Sequence, residues 1–277
     1  MNFDSPISDF PIVVLDTETT GGYAVGDEIC EVALVRYEKG KVVGEYQSLI
    51  NPHKLVPPNI IKIHGITNEE LKDAPDAELV MPDVYEYLKD SIMVAHHAPF
   101  DLGFIAYTLD KLNMSLPVMP SLCTSLLSRK LFPKSPNHRL QTLIGYFGLE
   151  KGTAHRALDD SYACLGVYKE CIESFDEEPR LKDLIATQGK RLDWNMFSID
   201  RLVQGRPGID VIVDCIKTDR NIEFNYGQKA KSDKPRLAKP IGIVRSPDGD
   251  FLYAHCLKDN KPKRFYLSKI TNIKYGN

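Results

Sequence analysis

The sequence predicts an α/β domain on a mixed sheet, followed by a small β-barrel. Three observations carry this. Up to about residue 176, short β-branched apolar runs alternate with segments of helical periodicity. Beyond about residue 206 the texture changes to short strands separated by turn material such as "SPDGD". Charge divides at nearly the same place. Residues 1–204 hold 20 Lys+Arg against 30 Asp+Glu, whereas residues 205–277 hold 15 against 8.

The elements follow in order. "PIVVLD" (11–16) is continuous and β-branched, the pattern of a buried strand, and it ends in an acid. "EICEVALVRYE" (28–38) and "KVVGEYQSLIN" (41–51) continue as an antiparallel meander, with Lys39-Gly40 as the tight turn. A proline-rich loop (52–58) leads to helical pieces at 59–72 and 76–89. "SIMVAH" (91–96) reads as a short strand and "APFDLGFIAYTLDKL" (98–112) as an amphipathic helix. Helical segments near 121–131 and 139–147 precede a helix starting in "HRALDD" (155–160). "SFDEEPR" (174–180) breaks the pattern with charge and proline, and residues 181–205 read as helical or irregular. A helix at "IDVIVDCIK" then precedes the strands "NIEFNY", "LAKPIGIV", "DFLYAHCL" and "KRFYLSKI".

Composition narrows the function classes. At 277 residues, 43% hydrophobic and 26% charged, the chain is an ordinary soluble protein with room for two domains. Its longest apolar runs are far too short to span a bilayer, so no membrane role is expected. "MNFDSPISDF" is acidic and lacks the basic n-region of a secretory signal. Six cysteines form no CxxC pair, which argues against zinc or a disulfide framework and for a cytoplasmic setting. The basic C-terminal segment suits an anionic partner; a solvated basic surface is the alternative.

Chemistry concentrates in the acids. Asp16 and Glu18 in "LDTET" are two residues apart, so on a strand both point to one face. A divalent cation relieves the repulsion of such a pair; exposed loop acids are the other reading. Asp101 falls in the first turn of a helix, where the helix dipole alone favours an acid. On the helix after "HRAL", Ala157, Cys164, Val167 and Cys171 lie within about 60° of Asp160. Asp160 therefore points to the core and needs a partner, while Asp159 points to water with Lys169 and Glu170. His155 suits a general base beside a carboxylate–metal site, since its ordinary pKa near 6.5 fits proton abstraction at neutral pH. Four oxygen-donor acids favour Mg²⁺ or Mn²⁺, and two such ions are the arrangement for phosphodiester hydrolysis.

"VVLDTETTGG", "IHGIT", "HHAPFD" and "HRALDD" stand in the order and spacing of the DEDDh 3′→5′ exonucleases, the family of polymerase proofreading subunits, exonuclease X and ribonuclease T. The chain resembles that family over residues 10–175. The resemblance implies a ribonuclease H-like mixed sheet flanked by helices. It implies Asp16, Glu18, Asp101 and Asp160 as ligands of two metal ions and His155 as general base. It also makes Thr17, His64, Gly65, His96 and Phe100 candidates for holding the 3′-terminal nucleotide, with Phe104 in the core. His97 departs from the pattern, since the family usually has asparagine there.

Residues 206–277 resemble a WYL domain, an Sm/SH3-like β-barrel, although "FLY" stands where Trp, Tyr and Leu are expected. Arg236, Tyr253, Lys263 and Arg264 are its candidate ligand residues. The domains expected are a nuclease over 1–176, a helical linker over 177–205 and this module over 206–277. The function implied is metal-dependent 3′→5′ hydrolysis of single-stranded DNA ends to nucleoside monophosphates. An exoribonuclease acting on RNA and a non-catalytic nucleic-acid-binding regulator are the alternatives.

Overall fold

β1 (Ile12–Thr19) is the expected first strand, and in the computed structural model it lies at the centre of a five-stranded sheet. The structure describes residues 2–150, 152–227 and 235–276. Packing divides the chain into two compact units. The first comprises Met1–Gly21, Ile29–Asp101 and Ser115–Trp194; the second comprises Gly22–Glu28, Leu102–Met114 and Asn195–Asn277.

In the first unit, β2 (Ile29–Glu38) and β3 (Lys41–Leu49) form the predicted meander with β1. Glu38 pairs with Lys41, leaving a two-residue loop. Lys39 and Gly40 both have positive φ, 48° and 81°, as a type I′ hairpin turn requires. β4 (Ile92–Ala95) and β5 (Leu122–Cys123) add parallel strands, giving the order β3-β2-β1-β4-β5. β5 is a departure from the sequence reading, which placed these residues in a helix. A two-residue strand shows no periodicity; its pairing with Val94 and Ala95 is what defines it.

The predicted helices are α1 (Pro58–His64), α2 (Asn68–Lys72), α3 (Ala77–Leu88), α4 (Pro99–Lys111), α5 (Thr124–Leu131), α6 (Leu140–Phe147), α7 (Ala157–Glu173) and α8 (Leu181–Gln188). α7 packs across β1 and β2. Ile12, Val14 and Val94 from the sheet meet Leu143, Cys164 and Val167 in one buried cluster. Each such burial contributes about 1.5–3 kcal/mol. This packing sets the site. Alternation carries the Ile12–Val14 face on to Asp16 and Glu18, and one helical turn before Cys164 is Asp160.

The second unit holds α9 (Ile199–Gln204), α10 (Ile209–Lys217) and five antiparallel strands: β6 (Ile222–Tyr226), β7 (Arg236–Val244), β8 (Phe251–Cys256), β9 (Lys261–Tyr266) and β10 (Ile270–Tyr275). The barrel expected here is an open sheet among the described residues. Its order is β10-β6-β7-β8-β9, with no pairing between the two end strands. Closure is not needed to bury the apolar face. Ile212 and Cys215 of α10, with Val25 and Tyr107, pack against Phe224, Ile243, Leu252 and Phe265.

Candidate active site

All four predicted acids converge in the first unit. Asp101, in the first turn of α4, is 2% exposed. Its Oδ1 accepts from the Thr17 amide (3.1 Å) and the Thr17 hydroxyl (2.9 Å), which ties α4 to β1 between Asp16 and Glu18. The Thr17 hydroxyl is thus directed at a carboxylate. Asp160 is buried, and its Oδ2 accepts the His155 amide at 2.9 Å. Donor atoms of Glu18, His155 and Asp160 all lie within 4.8 Å of one another.

The electrostatics of this cluster demand a counter-charge. Burial pushes Glu18 up to about 8, with Asp160, Glu31 and Asp101 adding repulsion. Burial likewise raises Asp101 to about 7 despite its bonds from Thr17. Asp16 lies well above the usual carboxylate range, first through burial and then through Asp101, Glu18 and Asp160. Asp160 is raised by burial. Carboxylates raised by burial and, at Asp16 and Glu18, further by their acidic neighbours are a favourable site for a hard divalent cation, which oxygen donors suit.

Two groups escaped the sequence reading. Glu31 is fully buried, directly opposite Glu18 in the β1–β2 register. It accepts from Arg156 Nη2 (2.9 Å), the Ala157 amide (3.1 Å) and Gln47 (2.9 Å). Asp159, expected to face water, is half-buried and accepts the Thr153 amide at 2.7 Å. The amides of Thr153, His155 and Ala157 thus each donate to a different carboxylate, from Asp159, Asp160 and Glu31. Between them His155 adopts φ +62°, a conformation uncommon outside glycine. The only sequence signal for Glu31 was its acid inside an otherwise apolar strand.

The remaining candidates separate. His64 is buried and its Nδ1 accepts the Ile66 amide at 3.0 Å, so the proton resides on Nε2. Burial lowers its pKa, keeping the ring neutral. Gly65 ends α1 at φ +78°. His96 is turned into its own chain. Its Nε2 donates to the His138 carbonyl (3.0 Å), and its Nδ1 accepts from Thr124 (2.9 Å). Burial pushes it down to about 4. Phe100 is half-buried in the first turn of α4, and Phe104 is 2% exposed in the core, as expected. His97 has φ +67°, a region where Asn, Asp and His are enriched, so histidine meets the backbone requirement at this position.

In the second unit, Arg236 and Lys263 both contact Asp259, at 3.2 Å for Arg236. Tyr253 stacks on Tyr23 with centroids 5.1 Å apart. Arg264, its cross-strand neighbour, lies 5.2 Å over the Phe251 ring. The four predicted residues therefore form two clusters.

Comparison with known proteins agrees with this geometry. A family model described as "Exonuclease" matches residues 13–168, and one described as "WYL domain" matches residues 208–275. The chain is 39% identical over 166 residues to the PolC-type DNA polymerase III of Bacillus subtilis, covering 58% of this chain and 12% of that protein. The chain thus spans a small fraction of the length of this relative. Exonuclease X in complex with 5′ overhanging duplex DNA superposes with a TM-score of 0.52 at 24% identity, covering 64% of this chain and 99% of that one. The nuclease domain of 3′hExo, a DEDDh family member bound to rAMP, superposes with a TM-score of 0.53 at 17% identity, covering 61% and 95%. The sheet order, the convergence of acids from β1, α4 and α7 and the family match lead to one conclusion: the chain belongs to the exonuclease family and carries a WYL domain toward its C-terminal end.

Proposed function

We propose that this chain is a metal-dependent 3′→5′ exonuclease that shortens single-stranded DNA ends to nucleoside monophosphates. The observation that carries the reading is the convergence of Asp16, Glu18, Asp101 and Asp160, raised in pKa by burial and mutual repulsion, with His155 at the same place. The four acids would hold two Mg²⁺ or Mn²⁺ ions. Bound there, the ions would supply charge to activate water and to stabilise the leaving oxygen.

The chain's own groups do the rest. His155 takes the proton of the attacking water. Its backbone is fixed by Asp160, so base and carboxylate share one geometry. Thr17 orients Asp101. His64, Gly65 and Phe100 are assigned to the terminal nucleotide, with an aromatic ring suited to stacking on a base. The domains are assigned as 1–176, 177–205 and 206–277. The C-terminal module would add nucleic-acid affinity through Tyr253 and Arg264, which lie side by side; Arg236 and Lys263 share Asp259. Among the described residues no helix is long and apolar enough to cross a membrane, and six free buried cysteines fit a reducing cytoplasm.

The test is digestion of 5′-labelled DNA and RNA oligonucleotides with Mg²⁺ or EDTA, using wild type and Asp160→Ala. A ladder shortening from the 3′ end, abolished by EDTA and by the variant, is expected. Intact substrates under both Mg²⁺ and Mn²⁺ would remove the reading. Faster loss of the RNA ladder would establish the exoribonuclease alternative, which the rAMP-bound neighbour motivates.

A further inference from the structure

From Leu112 to Leu149 the sequence contains no aspartate or glutamate, yet Arg129, Lys130, Lys134 and Arg139 fall there. This is unusual in residues 1–204, where acids outnumber cations 30 to 20. All four side chains belong to exposed residues, and among the described residues none meets a carboxylate. Elsewhere in the same unit Arg36, Lys89, Arg156 and Arg191 each hold a carboxylate at 2.6–2.9 Å. Exposed cations without an acid nearby are open to an anion from outside the chain.

Their placement relates them to the site. β4 and β5 are parallel neighbours, and the carboxyl end of β4 leads into His96, His97 and Asp101. The His138 carbonyl accepts from His96, and His138 Nδ1 lies 3.1 Å from Ser128 Oγ, so the segment after α5 returns to the end of β4. Arg129 is close enough to His96, His97 and His138 that, after burial, its charge helps hold all three imidazoles below their ordinary pKa. The acids of the site repel a polyanion. Ions bound there would screen the reacting phosphate, but phosphates further along a strand need other partners.

We propose that Arg129, Lys130, Lys134 and Arg139 form a track that holds the phosphodiester backbone of the substrate strand upstream of its 3′ end. The track rests on the nuclease reading for its purpose, and its binding can be measured without activity. The full-length chain carrying Asp160→Ala is titrated in EDTA with labelled oligodeoxythymidylate at increasing salt. Changing the four cations to glutamine in that background is expected to make the slope of log affinity against log salt shallower by about 3, since each single-strand phosphate contact contributes about 0.7. Over a fourfold salt increase this is a difference of about 50-fold in affinity lost. Changing Lys39 and Lys41 to glutamine should leave the slope in place.

In the active background the four-glutamine variant should raise KM for the oligonucleotide at least tenfold. Turnover of thymidine 5′-monophosphate p-nitrophenyl ester, which has no upstream phosphate, should not change. An unaltered salt slope, or an equal loss in the Lys39/Lys41 variant, overturns the track. If wild type cleaves neither substrate the nuclease reading fails, while the binding titration still decides whether the track exists.

Discussion

At the scale of single residues, the loop before α7 behaves as a strap. Three carboxylates take alternate amides, and the residue between two of them is the proposed base. Asp160 does two jobs, as a member of the acid cluster and as an anchor for His155. Asp159 anchors the same loop two residues earlier, at the Thr153 amide. Helix periodicity put Asp160 on the buried face, because the face of a helix is decided by spacing alone, but Asp159 is half-buried where water was expected. It missed the Thr153 bond, which depends on the course of the preceding loop. Asp159→Ala should therefore retain activity but lose about tenfold in kcat, since a charge-assisted bond of about 1.5–3 kcal/mol is removed from the strap. Asp160→Ala should be inactive. Equal kcat values for Asp159→Ala and wild type would show that the strap does not need this bond.

At the scale of elements, the β1–β2 register places Glu18 beside Glu31, two acids that would repel if both were free. Arg156 and the first amide of α7 hold Glu31 in place, so the start of α7 is pinned to β2 at the point where it must present Asp160. The meander, the helices and the Lys39-Gly40 turn were legible because each is decided by local pattern. The β5 pairing and the strand order of the C-terminal sheet were not, because partners distant in sequence decide them. Gly65 offers a clean test of local conformation. A Cβ there would meet nothing within 4 Å, so Gly65→Ala carries only the strain of φ +78°. It should cost about 1–2 kcal/mol in denaturant unfolding. A loss below experimental error would mean that α1 ends differently in solution.

At the scale of the whole molecule, the acid cluster links folding, pH and metal. Carboxylates raised in the folded state bind more protons than they do unfolded, so they favour folding at low pH and oppose it as they ionise. With Asp101 at about 7 and Glu18 at about 8, the metal-free protein should lose stability as pH rises through 7 to 8. Mg²⁺ or Mn²⁺ should restore it, most strongly at the alkaline end, because binding displaces those protons. Thermal melts in EDTA and in each metal across this range check the sign. A Tm that rises with pH in EDTA would refute the linkage.

The sequence by itself determined the acid positions, the class of each main element and the inward face of α7, because side-chain identity and periodicity are local properties. Only the tertiary structure decided that Glu31 stands beside Glu18, that Asp159 holds the Thr153 amide, that both ring nitrogens of His96 bond within the chain and that β10 pairs with β6. Those outcomes depend on which distant backbone amide or carbonyl stands opposite a given side chain, and that is set by packing and strand register.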